Sequence, residues 1–175
     1  LVAFFTDHQE VIIDLSAYPC NAGQLAGSPH ITTDVVVTRL RNTGIFLGFA
    51  DCVPYAVYDA RQHLMAFAHI GWRSMALGLT GKVLRHLMGQ HGSRPADLSV
   101  AIGPSIKQES YRFMDPVQAK NPVWAPYLKV LDNGQTALDL YGFCLAETLG
   151  AGLQPDQVYA AHTDTVTDPA LFSHY

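Results

Sequence analysis

Two strand-like runs, Pro54 to Tyr58 and Leu64 to Ala68, are separated by the polar stretch Asp59-Ala60-Arg61-Gln62. Strand, short polar turn and strand make the pattern of a β-hairpin. A hairpin returns the chain to where it began. It therefore predicts that Cys52, just before the first run, and His69, just after the second, meet at one sheet edge. Thiolate plus imidazole is a soft donor pair suited to zinc, and two or three such ligands with one position open describe a catalytic site. The same pair also reads as a nucleophile and its base, with His69 lowering the pKa of the Cys52 thiol. A third reading makes Cys52 a small core residue. Spacing leaves all three open, because no CxxC or HExxH motif accompanies the pair.

Around the hairpin, Leu1 to Phe5 and Glu10 to Leu15 read as short strands flanking Thr6-Asp7-His8-Gln9, and positions 17–33 read as a loop. Asp34 to Thr38 is β-branched and strand-like. Gly44 to Ala50 is a continuous apolar run, as expected of a strand covered on both faces. After His69-Ile70-Gly71-Trp72-Arg73 the period changes. Met75, Leu79, Val83 and Leu87 recur at four-residue intervals and Gly89 follows as a stop, which predicts one amphipathic helix. Leu98 to Ile102 is a strand ending in Gly103-Pro104, and residues 113–135 read as loop with one helical turn. Thr136 is placed to cap a second helix with Leu138, Tyr141, Leu145 and Leu149 on one face and Gly150 closing it. Val158 to Ala161 is a last strand. Strands without regular helical alternation predict an α+β fold rather than a doubly wound sheet.

With 175 residues, 49% of them hydrophobic and only 15% charged, the chain suits one domain with a sizeable core. A net charge of −4 argues against a nucleic-acid surface, which needs a basic patch. No apolar run reaches the length of a membrane span. Polar residues from Asp7 to Glu10 interrupt the first apolar stretch, so no signal peptide is expected. Cys20, Cys52 and Cys144 are odd in number and unrelated in spacing, which points away from a disulfide framework and toward the cytoplasm. Cys144 is expected in the core. Among eight histidines, His30, His63, His86 and His91 fall in turns or on a helix surface, where solvation is expected. His162, after the last strand, stands within reach of a site at the strand ends. Arg73, where strand turns to helix, suits an oxyanion or phosphate, or alternatively stacks on Trp72. Gly103-Pro104-Ser105 is a plain turn or a close backbone approach to a ligand.

Taken in order, Asp34-Val35-Val36-Val37-Thr38, Ala50-Asp51-Cys52-Val53-Pro54, His69-Ile70-Gly71-Trp72-Arg73, Gly103-Pro104-Ser105-Ile106 with Tyr111, and Phe172-Ser173-His174-Tyr175 resemble one family. It is the polyphenol oxidase or laccase-domain family, whose members are associated with zinc-dependent purine nucleoside phosphorylase, adenosine deaminase and methylthioadenosine phosphorylase activities. The resemblance covers essentially the whole chain, and its specific part is ADC-x-P followed by H-x-G-W-R. It implies metal ligands at His8, Cys52 and His69, filled by zinc with copper as the alternative. It implies catalytic roles for Cys52, His69 and Arg73, with Arg73 steadying phosphate or developing negative charge and Asp51 either orienting a ligand or simply capping the turn. The implied fold is a four-layer αββα arrangement, two mixed sheets packed between helical layers, similar to that of deamidating cysteine-hydrolase toxins. The implied partners are a purine nucleoside and phosphate, with no nucleic acid and no membrane.

Members of that family begin some tens of residues earlier and continue past the Phe-Ser segment. The resemblance thus implies a single domain over 1–175 without the family's N-terminal segment and final strand. Other departures are Thr6-Asp7-His8-Gln9 for Q-V-H-G, and Ile70 and Ser74 in place of small residues. Ile70 is expected beside the metal and Ser74 where glycine allows close approach. His162 stands where Cys is frequent and Arg112 where Glu is. Two further readings remain: a Cys–His amide hydrolase, and a degenerate, non-catalytic member that binds a ligand or partner. Multicopper oxidase chemistry is not expected, because the chain has no H-x-H motif.

Overall fold

The hairpin forms and occupies the middle of the main sheet. The computed structural model describes residues 2–6, 10–15 and 32–175. Its strands are β1 (Val2–Phe4), β2 (Ile12–Asp14), β3 (Val35–Thr38), β4 (Ile45–Leu47), β5 (Val53–Asp59), β6 (Leu64–Ile70), β7 (Leu98–Ile102), β8 (Arg112–Phe113), β9 (Leu128–Val130), β10 (Thr136–Leu138) and β11 (Val158–Ala160). Its α-helices are α1 (Trp72–Ala76), α2 (Leu79–His91) and α3 (Leu140–Gly150). Six strands form one mixed sheet in the order β11-β7-β5-β6-β3-β2. The β5, β6, β7 and β3 neighbours run antiparallel, while β7–β11 and β2–β3 run parallel.

Period-two alternation gives this sheet two different faces. Val53, Tyr55 and Val57 of β5 and Leu64, Ala66, Ala68 and Ile70 of β6 are fully buried on one face. They pack with Leu79, Val83, Leu84 and Leu87 of α2 and Phe143 and Cys144 of α3. Each large aliphatic side chain buried this way contributes about 1.5–3 kcal/mol. On the opposite face Val36 and Phe67 meet Phe4 and Leu47, which belong to the parallel β1–β4 pair. The protein is therefore α+β with mixed sheets, as expected. Among the described residues the helices cover one face of the six-stranded sheet and the small sheet covers the other. No helix among them is long and apolar enough to cross a membrane.

Four local readings change. Phe46 of β4 is 56% exposed, so that run is covered on one face only. The single expected helix breaks at Leu77-Gly78, where Gly78 takes φ 77°, and it ends at Gly92 with φ 64° rather than at Gly89, which lies inside α2. The Gly92 and Ser93 amides donate back to the Met88 and Leu87 carbonyls and satisfy the helix end. Thr136 belongs to β10, and the cap of α3 is Asp139, whose carboxylate accepts from the Gly142 amide at 2.7 Å. The buried face of α3 accordingly runs through Leu140, Phe143, Cys144 and Thr148. Residues 113–135 hold the second residue of β8, all of β9 and two short 3-10 turns, the second burying Trp124 against Phe143 with ring centroids 4.6 Å apart. The loop expected at 17–33 lies outside the described residues up to position 31.

The two candidate stops respond oppositely to alanine. Gly92→Ala strains a left-handed residue and should destabilise by about 1 kcal/mol. Gly89→Ala adds a methyl to open space within a helix and should stabilise by about 0.5–1 kcal/mol. Chemical denaturation of both variants checks this, and equal effects would contradict the helix end described.

Candidate functional site

Alternation along β6 sends Ile70 into the main core and turns His69 to the other face. Antiparallel pairing with β3 sets Val35 opposite Ala68, and the His69 amide donates to the Asp34 carbonyl at 2.7 Å. The Asp34 side chain, fully buried, approaches from the same strand: its Oδ1 lies 3.2 Å from His69 Nδ1. A carboxylate accepts, so this contact puts the imidazole proton on Nδ1 and makes Nε2 the nitrogen that carries the lone pair. Phe49 packs on the ring at a centroid distance of 5.4 Å. On the other side Pro54 of β5 stands opposite His69, and Cys52 lies two residues before it, just ahead of the strand.

Burial pushes the Cys52 thiol up to about 11, and the charges of Asp51 and Asp34 push the same way. An activated nucleophile needs a lowered thiol pKa; this one is held neutral. A cation beside the sulfur would reverse both influences, because positive charge favours thiolate. Asp51 itself takes φ 75° at the strand start. Its carboxylate accepts from the Thr165 hydroxyl and the His174 amide, each at 2.7 Å, and its carbonyl accepts from the Ile106 amide at 3.0 Å. Asp51 thereby ties the strand start to the chain's last residues.

Cys52 and His69 line adjoining cavities. One, of about 350 Å³, is walled by Cys52, Trp72, Arg73, Tyr111, Phe113 and Tyr175. The other, of about 310 Å³, is walled by Thr6, Gly48, Phe49, His69 and Phe172. Ala50 and His174 border both. Arg73 is exposed at the first turn of the short helix α1. It lies with its guanidinium carbon 5.0 Å from the Trp72 ring centroid, so it both stacks and faces the cavity. Tyr111, Phe113 and Tyr175 meet edge to face at 4.9–5.7 Å. Burial, followed by the Cys52, Tyr175 and Asp51 charges, lifts the Tyr111 hydroxyl to about 12.

Several expectations are corrected by this geometry. Ile70 is fully buried in the main core, on the face away from His69, so its bulk does not crowd the site. Ser74 is also fully buried, and its hydroxyl accepts from the Gly71 amide at 3.0 Å, closing the turn into α1. Gly103 makes a close approach to the hairpin: an added Cβ would sit 2.8 Å from the Pro54 side chain. His162 packs edge-on against Tyr141 at 5.5 Å. His86 and His91, expected to be solvated, converge on Asp14. His174, to which the sequence assigned no role of its own, stands between the two cavities. His8, with Cys20 and His30, lies outside the described residues.

A mixed-sheet α+β domain with a thiol, an imidazole and an arginine lining adjoining cavities at one end of its central strands is the class that the fold and site define. The chain belongs to the multi-copper polyphenol oxidoreductase laccase family, whose model matches residues 1–175. It is 32% identical over 149 residues to purine nucleoside phosphorylase YlmD of Bacillus subtilis (strain 168), a match covering 80% of this chain and 52% of that protein. It is 34% identical over 84 residues to adenosine deaminase RL5 from an unknown prokaryotic organism, covering 48% of this chain and 32% of that one. The solved structure of the Bacillus licheniformis hypothetical protein YfiH superposes with a TM-score of 0.84 at 28% identity, covering 98% of this chain and 68% of that chain. The YlmD structure from Geobacillus stearothermophilus gives the same TM-score at 27% identity, covering 98% and 67%. The chain spans about half the length of the curated relatives it matches.

The held-neutral thiol has a direct consequence. In metal-free protein, alkylation of Cys52 followed by peptide mass mapping should be slow near neutral pH and rise with a midpoint of about 11. Rapid alkylation near neutrality would instead indicate an activated nucleophile.

Proposed function

We propose that this chain is a single metal-binding domain of a purine nucleoside enzyme, a phosphorylase in its main reaction. The observation that carries the reading is the buried Asp34 carboxylate on His69 Nδ1, near enough to Cys52 for its charge to act on the thiol. Metal-ligating histidines are held in this way by a carboxylate on the second nitrogen. The proposed ligands are Cys52, His69 through Nε2, and His8, a donor set suited to zinc and also compatible with copper. When bound, the metal supplies Lewis acidity or a polarised water at its open position.

The chain's own residues would do the rest. The Tyr111, Phe113 and Tyr175 wall offers flat aromatic surface to a purine base. Arg73, lining the same cavity, offers a planar cation to the attacking phosphate, or to the negative charge that develops on the departing base as the glycosidic bond breaks. Asp34 fixes the His69 ring, and Asp51 holds His174 across the boundary between the cavities. The names of the matched relatives, phosphorylases and one adenosine deaminase, support a purine nucleoside as substrate. The amide-hydrolase reading has the raised Cys52 thiol against it.

Zinc-loaded protein given inosine or adenosine with phosphate should release free base, with ammonia from adenosine reporting deamination. Cys52→Ala and His69→Ala should lose both turnover and the metal equivalent held at this site. Asp34→Asn should weaken metal affinity by about 10–100-fold. Arg73→Ala should raise KM for phosphate more than it lowers kcat. Stoichiometric zinc at this site in Cys52→Ala would overturn the ligand set, and loaded protein without turnover would favour the ligand-binding reading.

A further inference from the structure

We propose that Asp14, His86 and His91 form a second divalent-metal site, suited to zinc, that clips the edge strand β2 to helix α2. Asp14 ends β2, and the two histidines lie toward the C-terminal end of α2. Both imidazoles aim Nε2 at one carboxylate oxygen, Asp14 Oδ2, at 3.0 Å from His86 and 2.6 Å from His91. The three ligand atoms lie within 4.8 Å of one another, and all three residues are partly buried. An ion pair needs one imidazole. Two imidazoles from one helix and a carboxylate from a distant strand, converging on one point, are the arrangement of ligands around an ion. Two nitrogens and one oxygen suit zinc and leave a position for water.

This site is separate from Cys52 and His69. Asp14 stands opposite Val37 on β3, three residues along that strand from Asp34, which holds His69. Its sequence signal was hidden because Asp14 and His91 are brought together only by the docking of α2 beside the sheet edge.

The surroundings say how the site would be controlled. Arg39 Nη1 lies 3.2 Å from His91 Nδ1, and the same guanidinium donates to Gln62 Oε1 at 3.0 Å. A guanidinium only donates, so His91 Nδ1 accepts and its Nε2–H points at Asp14. A metal takes the Nε2 lone pair, which requires the proton to move to Nδ1 and Arg39 to swing away. Arg39 therefore competes with the metal, and its removal should tighten binding.

Zinc alone, titrated calorimetrically, tests this in wild type and in Cys52→Ala. Wild type should bind two equivalents, and His91→Ala or His86→Ala should bind one. Cys52→Ala should keep the equivalent that the histidine variants lose, and zinc should raise its Tm. In that variant Co²⁺ should give d–d absorption without a thiolate charge-transfer band. Arg39→Ala should bind the second equivalent more tightly than wild type. Circular dichroism confirms that each variant folds. Stoichiometry unchanged by both His86→Ala and His91→Ala overturns the proposal. If Cys52 is not a ligand at all, wild type still shows an equivalent that depends on His91, which separates failure of the first site from failure of this one.

Discussion

The candidate site depends on the register of β6 between β3 and β5. That register puts Asp34 on one side of His69 and Pro54 on the other, with Cys52 two residues before Pro54, just ahead of the strand. A slip by one residue would exchange Ile70 and His69 between the faces. Ile70 would lose its place in the main core, and the imidazole would enter an apolar environment without its carboxylate, a burial costly for a polar group. Packing on the helix side thus fixes polar geometry on the other side. The same alternation that makes the core makes the site.

Around that register the chain adds ties between distant segments. Asp51 links the start of β5 to Thr165, His174 and Ile106, and Tyr175 meets the backbone of Arg112 through its hydroxyl. These contacts bring the last residues over Ala50 and the cavity containing Cys52. Gly103, pressed against Pro54, lets β7 lie close to the hairpin and carries the chain on to Ser105 and Ile106. The acidic side chains here serve two purposes. They hold backbone and hydroxyl donors, and their charge adds to burial in keeping the neighbouring Cys52 thiol protonated in the absence of a cation.

Local pattern made much of this legible. The hairpin, β3, β7 and the α+β class follow from period two, β-branched runs and turn residues, and so does the placement of Cys52 and His69 at the two ends of the hairpin. What pattern missed were facts of tertiary placement. Gly89 and Gly92 are both plausible helix stops, and only packing selects the second. Asp139 lies three residues beyond Thr136, and the choice of cap rotated the buried face of α3. Ile70 looked like an obstacle beside His69 because adjacent residues in sequence occupy opposite faces of a strand. His86 and His91 look like ordinary helix-surface residues until Asp14 is seen against them.

The family match spans residues 1–175, and superpositions with TM-scores of 0.84 cover nearly the whole chain, so the fold rests on independent grounds. The central chemical claim is that sulfur and imidazole from the two ends of one hairpin share a metal. X-ray absorption at the zinc edge, on protein loaded with a single equivalent in a His91→Ala background, addresses it directly. The expected spectrum contains one sulfur scatterer at about 2.3 Å with nitrogen or oxygen at about 2.0–2.1 Å. A shell of nitrogen and oxygen alone, with no sulfur, would contradict it.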